Sequence, residues 1–361
     1  MPVSTTGTYT QHTVIKPEKI VATQLGLLSK ASVLAKVAFV RQGIDAYKDA
    51  QNDTVSMKVP GRLPARRYAF RNDRTNEIEF DVYAERKVTM TLGDHLYSAV
   101  RITDEQVDFD GVNANGLMPI QAAAVAAALE DLCRTTIEGA PFPVVIGGVA
   151  SNLRKGVLEA RKVLNKLRQP DTNRLLVVGS NFENSLLLNK DITFASSSGD
   201  NVAEGALRNA YVGQLYGFDV VRDDSIDADA AYAMSGNAFV LSTGAPTVPQ
   251  SAPFGASATF DGFGLTWVRS YALKTLEDQS VVHTWAGTTP VTDVFLNYKK
   301  PQPTGNPVGG EVVGTSEHFV RAIKLNLGGT TSTGPTAGSA LALDAGLAQA
   351  DVWAGTGVAP A

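Results

Sequence analysis

The chain has 361 residues, 44% hydrophobic and 19% charged, with a formal net charge of -4. That length suits one large domain or two ordinary ones, and the composition excludes wholesale disorder. No apolar run approaches the roughly 20 residues a membrane-spanning helix needs, and the acidic excess argues against a protein built to neutralise phosphates over a large surface.

Residues 1–13 read as an irregular arm. Its polar, Thr-rich start lacks the basic and apolar regions of a secretory signal, so a cytosolic setting is expected. A short helix follows, with Pro17 near its first turn and Ile20, Val21, Gln24, Leu27 and Leu28 on its apolar side. A second apolar stretch, 33–40, ends near Gly43. Val55, Met57 and Val59 then alternate with polar residues, the period of a half-buried strand, and Ile78, Phe80 and Val82 repeat the pattern. Pro60, Gly61 and Pro64 break regular structure between them, so the pair predicts a long two-stranded excursion with an irregular tip. Its charge is polarised. Lys58, Arg62, Arg66, Arg67, Arg71 and Arg74 lie on the outgoing side and tip, against Glu77, Glu79, Asp81 and Glu85 on the return. A hairpin of this length is marginal alone in water. It is either a solvated ribbon pairing its own charges or a loop stabilised on a neighbouring subunit; the acidic return argues against a nucleic-acid arm.

Val88, Met90 and Leu92 continue the strand alternation. Asp104, Glu105, Asp108 and Asp110 form an acidic cluster; the run 108–113 lacks the terminal glutamate of a calcium loop, so a solvated turn is expected. Residues 119–138 predict a helix about 30 Å long, with Pro119 in its first turn, six alanines between 122 and 128, and Gly139 to end it. A bulky residue at Ala123 or Ala127 is expected to overpack this spine. Residues 140–250 read as a compact α/β unit: an amphipathic helix at 151–168 with a basic outer face, a buried strand at 175–178, a short helix at 182–188, and a turn feeding a strand within 212–221. Strands are expected at 239–241, 265–268 and 291–294. Pro301, Pro303 and Pro307 mark a linker, 308–327 leave room for a strand or two, and the charge-poor, Gly/Thr/Ala-rich stretch 328–361 reads as mobile or ordered only against a partner.

Catalytic signatures are missing: there is no phosphate-binding loop, no nucleophile elbow and no zinc-protease motif. Gly262-Phe263-Gly264 reads as a turn. Cys133 is the single cysteine, which excludes an intrachain disulfide and reads as a small core residue; His12, His95, His283 and His318 are too scattered for ligation on one element. No catalytic, cofactor or metal site is expected, and the reading is of a structural protein.

The order of elements resembles the Hong Kong 97-type capsid fold, shared by major capsid proteins of tailed phages and by encapsulins. The resemblance covers roughly 14–298 and rests on Arg101-Ile102-Thr103-Asp104-Glu105-Gln106, on the spine 119–138, and on Val212-Gly213-Gln214-Leu215-Tyr216-Gly217-Phe218-Asp219-Val220, which is similar to the family's G-x-x-x-G-F-x-V turn and strand. It implies an α+β fold with an N-terminal arm and short helices (1–51), an extended loop (52–92), a peripheral domain with the spine helix (93–140) and an axial domain (141–250). Strands returning to the peripheral domain (251–300) and a C-terminal extension, mobile or surface-exposed (301–361), complete it. It further implies a major capsid protein that self-assembles as pentamers and hexamers into an icosahedral shell around the phage double-stranded DNA, without sequence-specific binding and without a membrane. Scaffolding, portal and decoration proteins would be partners, in the host cytoplasm during assembly and in the virion afterwards. Arg62, Arg66, Arg67, Arg71, Arg74, Glu77 and Glu79 would make the intersubunit contact, and Gly213, Gly217 and Phe218 the structural turn. Some members cross-link neighbours through a Lys–Asn bond; Lys58 and Asn297 are the only placements here, in no recognisable motif. The alternatives are an encapsulin-like compartment and a cytosolic α/β enzyme.

Overall fold

In the computed structural model, residues 17–43, 54–61, 63, 80, 83, 85–108, 114–188, 213–252, 254–298, 312–329, 331–337 and 339–355 are described. Helix α1 (Pro17–Ala31) starts on its proline, where the missing N–H costs nothing. Val21, Gln24, Leu25 and Leu28 face inward, whereas Leu27 is 40% exposed; the apolar side is rotated by one position from the sequence expectation. The single turn α2 (Leu34–Val37) leads into strand β1 (Phe39–Gly43). Strands β2 (Thr54–Val59) and β3 (Arg86–Thr91) follow, then β4 (Asp94–Thr103), the short helix α3 (Asp104–Asp108) and the long helix α4 (Ala114–Glu138).

Beyond α4 come β5 (Val145–Ile146), α5 (Leu153–Lys166), β6 (Arg174–Val178) and α6 (Ser180–Leu188). Asn152 caps α5 by accepting the Lys155 N–H at 2.9 Å. Strands β7 (Gln214–Leu215), β8 (Phe218–Arg222), β9 (Ala230–Ser235) and β10 (Phe239–Gly244) lead to the longer β11 (Phe254–Phe260), β12 (Phe263–Ala272) and β13 (Glu277–Pro290). The chain continues through β14 (Asp293–Tyr298), β15 (Val312–His318), β16 (Ala322–Asn326) and α7 (Ala340–Ala345).

These strands form two larger sheets. The first has the order β1-β10-β13-β12-β11, and β4 pairs with β13 along its other edge. The second has the order β5-β16-β9-β6-β8-β7. One apolar core lies between them: Val125, Leu129, Cys133 and Ile137 of α4 meet Val21 and Leu28 of α1, Trp267 and Val282 of the first sheet, and Val177, Tyr232 and Met234 of the second. The opposite face of the second sheet is covered by α5, α6 and the chain after β16 in a separate core.

Several sequence expectations are corrected. The helix α4 starts at Ala114, not in the turn at Pro119, so Pro119 lies inside it. A proline removes one backbone bond, which a helix of 25 residues withstands when Met118 on the same stretch is buried. Ala122 and Ala126 are the buried alanines, while Ala123 and Ala127 face solvent, because the apolar stripe follows Met118, Val125 and Leu129. The strand paired with β2 is 86–91, in the register Thr54↔Thr91 to Val59↔Arg86, and the expected partner around 78–82 is outside the described residues except Phe80, which is in no strand.

The chain after 312 is not peripheral either. β16 is inserted between β5 and β9, with Ala322, Ile323 and Leu325 fully buried. The strand or two expected within 308–327 are present as β15 and β16, but nothing in Ala322-Ile323-Lys324-Leu325-Asn326 marks a central position, since only its neighbours make it a central strand. β10, within the stretch read as one α/β unit, belongs to the first sheet.

Candidate assembly surfaces

Strands β2 and β3 form a two-stranded ribbon of their own, packed on the first sheet. Val59, Val88 and Met90 pack at its root against Val240 and Val291, with Met57, Leu92 and Trp285 around them. Burial of this one face fixes the register, since a slip by one residue would turn the apolar set to solvent. Gly287 of β13 admits the ribbon: a Cβ there would lie 2.8 Å from the Thr91 carbonyl. Arg86 pairs with Glu317 of β15 across the root. Lys58 and Glu85, 3.6 Å apart, are both exposed, and such a pair contributes little.

Arg62, Arg66, Arg67, Arg71, Arg74, Glu77 and Glu79 lie outside the described residues. Lys58 is on β2 of that ribbon, whereas Asn297 is on β14, which pairs antiparallel with β15 in a separate two-stranded sheet. The predicted structural turn is well defined. Gly213 and Gly217 have φ of 65° and 85°, and Tyr216 has φ of 49°, so Tyr216-Gly217 is the two-residue left-handed turn that suits the twist of a hairpin. Phe218 is fully buried in the second core. The Arg161 guanidinium donates to the Tyr216 carbonyl at 3.2 Å, tying α5 to this turn.

The basic face of α5 has a use the sequence did not disclose. Lys162 donates to the Asp351 carbonyl at 3.2 Å and Lys166 to the Gly346 carbonyl at 3.1 Å, while the Lys155 ammonium lies 4.9 Å from the centre of the Trp353 ring. Leu341, Leu347 and Val352 are buried beneath, so the partner that orders this stretch is the chain itself. Its end is locked by Gly355, whose N–H donates to the Gly147 carbonyl at 3.0 Å and whose Cα leaves no room for a Cβ against Gly148.

Two more links were invisible in sequence because each joins distant residues. Arg321 grips Asp293 through Nη2 at 2.6 Å and Nε at 3.0 Å, both side chains being 12% exposed, and Gln169 donates to the same carboxylate at 3.2 Å. His95 Nε2 and His283 Nδ1 lie 2.7 Å apart across β4 and β13.

Cys133 is fully buried, and burial pushes its thiol far above the usual range, which leaves it a core residue. Among the described residues no group of three or more His, Cys, Asp or Glu side chains could hold a metal ion, and no helix is long and apolar enough to cross a membrane. The acidic cluster forms the one-turn helix α3 up to Asp108; 109–113 are outside the described residues.

Two sheets sharing one long helix, with a ribbon rooted on the first, define a shell-forming subunit of the Hong Kong 97 type. Residues 91–283 match the family model described as phage capsid protein, more than half of the 361 residues, and the chain belongs to that family. Its role is that of a major capsid protein of a phage shell. Among solved structures it is similar to one from Mycobacterium phage Che8, at 13% identity over 82% of this chain and 91% of that chain, with a TM-score of 0.55. It is also similar to the capsid structure of Cyanophage P-SCSP1u, at 12% identity over 90% of this chain and 92% of that chain, with a TM-score of 0.55. At this identity the likeness shows the fold alone. No curated protein matches the chain.

Proposed function

We propose that the chain assembles with copies of itself, as pentamers and hexamers, into an icosahedral shell around phage double-stranded DNA, and that the ribbon after β2 is its intersubunit loop. The observation that carries this reading is the ribbon's root. Val59, Val88 and Met90 are buried against Val240 and Val291, so β2 and β3, which flank the excursion in sequence, are held on the body in one register. The basic run Arg62, Arg66, Arg67, Arg71 and Arg74 and the acids Glu77 and Glu79 lie beyond that root, and a second copy is the partner able to satisfy both signs. The second sheet with α5 and α6 would serve as the axial domain, and the first sheet with α4 as the peripheral domain. In this reading the subunit has no catalytic activity; a scaffolding protein and a portal assist it in the host cytoplasm, and a decoration protein binds the finished shell.

The test is charge reversal. Arg66→Glu with Arg67→Glu should leave the subunit folded by circular dichroism but abolish closed particles in electron micrographs, with and without the scaffold. Unaltered particles would remove the loop's charge from assembly. Nuclease-protected DNA inside particles from infected cells separates the phage shell from an encapsulin-like compartment, which would enclose protein cargo.

A further inference from the structure

His95 is the second residue of β4, and β4 begins after only Leu92 and Gly93 from the end of the ribbon strand β3. Its ring therefore sits where the ribbon joins the body. In the β4–β13 register His95 is opposite Trp285 and Tyr97 is opposite His283, so the two imidazoles meet on the diagonal. Their nitrogens are 2.7 Å apart and their ring centres 5.0 Å apart. The Trp285 ring stands edge-on to His95, at 6.3 Å between centres, and also packs on the apolar cluster that roots the ribbon. Two residues on, Gly287 lies beneath the Thr91 carbonyl. The pair, the tryptophan and the ribbon's last residue are thus one contiguous contact.

We infer that His95 and His283 form a proton-operated latch that pins the start of β4, and with it the ribbon's exit, to the first sheet. A contact of 2.7 Å between two ring nitrogens needs one proton between them: one nitrogen donates and the other accepts. The neutral pair meets that condition, and so does the pair with one added proton. When both rings are imidazolium, the two facing nitrogens each carry a hydrogen and a positive charge, and the contact cannot persist.

Among the described residues paired with these positions on β4, β12 and β13, little would hold the second charge. Tyr97 and Trp285 flank the pair on β4 and β13, Thr266 of β12 is opposite His283, and Asp94 is His95's chain neighbour on an exposed edge. The forces on His283 are burial and the His95 charge, both of which hold its imidazole below the ordinary value. The sign follows: a histidine whose folded value is depressed contributes stability present at high pH and lost as pH falls through the histidine range. The latch is closed at neutral pH and opens on acidification. What opening does to a shell rests on the reading of the ribbon as the intersubunit loop; the latch itself does not.

Amide hydrogen exchange on the full chain tests it, with rates corrected for the intrinsic effect of pH. Between pH 8 and pH 5, peptides covering 92–98 and 281–286 should lose about tenfold in protection, while α5 peptides hold theirs. In His95→Gln and in His283→Gln, which keep a polar side chain but cannot titrate, that loss should vanish. A wild-type chain with no local loss, or variants that lose protection just as it does, would overturn the latch. Should both variants fail to fold, the wild-type imidazole titration decides: two steps separated by a pK unit or more support the pair, and two independent ordinary titrations sink it. A latch that opens while particles assemble identically at both pH values would count against the ribbon reading and leave the latch standing.

Discussion

Gln121 and Ser280 are joined twice: the Gln121 amide donates to the Ser280 carbonyl at 3.0 Å, and the Ser280 hydroxyl donates back to Gln121 Oε1 at 2.9 Å. Trp267 adds its indole N–H to the Ser280 oxygen at 2.9 Å, and Gln121 also reaches the Ser98 carbonyl at 3.2 Å. The spine helix is therefore bolted to β4, β12 and β13 by a buried network. Replacing one member strands the others. Gln121→Leu should cost about 1–3 kcal/mol for the polar groups left unpaired, read as a lowered denaturant midpoint of the unassembled subunit. An unchanged midpoint would mean that water satisfies the network instead.

Asp293 and Arg321 tie the start of β14 to the turn before β16, and Arg321 also donates to the Asn237 carbonyl at 3.0 Å. Breaking a buried pair from one side leaves a charge without its partner. Arg321→Met should lower subunit stability by about 3–5 kcal/mol, and adding Asp293→Asn should restore part of that loss. Equal damage in the single and double variants would show that geometry, not charge, is what the pair supplies.

Glu130 of α4 accepts the backbone N–H of Leu34 at 2.9 Å and of Ala35 at 3.2 Å, so the spine holds the turn that precedes β1. Desolvation raises its carboxyl above the ordinary value, with nearby Asp223 adding to the shift and the two N–H groups opposing it. A raised carboxylate contributes stability that is fully present below its unfolded value near 4.5 and is lost as pH rises through the folded value. The stability difference between wild type and Glu130→Gln should therefore move against the wild type from pH 4 to pH 7. Parallel stability curves over that range would refute the shift.

Ala126 faces the core and Ala123 faces solvent one turn away. Ala126→Leu should overpack α4 against its neighbours and cost about 1–3 kcal/mol, whereas Ala123→Leu should stay within about 0.5 kcal/mol in the isolated subunit. Melting of the two purified variants side by side checks the ranking, and a reversed order would mean that α4 turns Ala123, not Ala126, toward the core.

The sequence by itself determined the local elements: alanine content and the closing Gly139 marked α4, strand alternation marked β2, and a turn feeding a strand was legible within 212–221. It also carried the order of elements on which the capsid resemblance rested. Other features were decided only by tertiary structure: β16 as a central strand, Arg86–Thr91 as the ribbon partner, the lysines of α5 as holders of Asp351 and Gly346, and the meeting of His95 with His283. Periodicity reports which way a side chain faces along its own element. It is silent on which other element, 100 or 200 residues away, supplies the partner. The same limit hid the inward turn of Ala122 and Ala126, since in a helix so rich in alanine the pattern barely distinguishes one face from another.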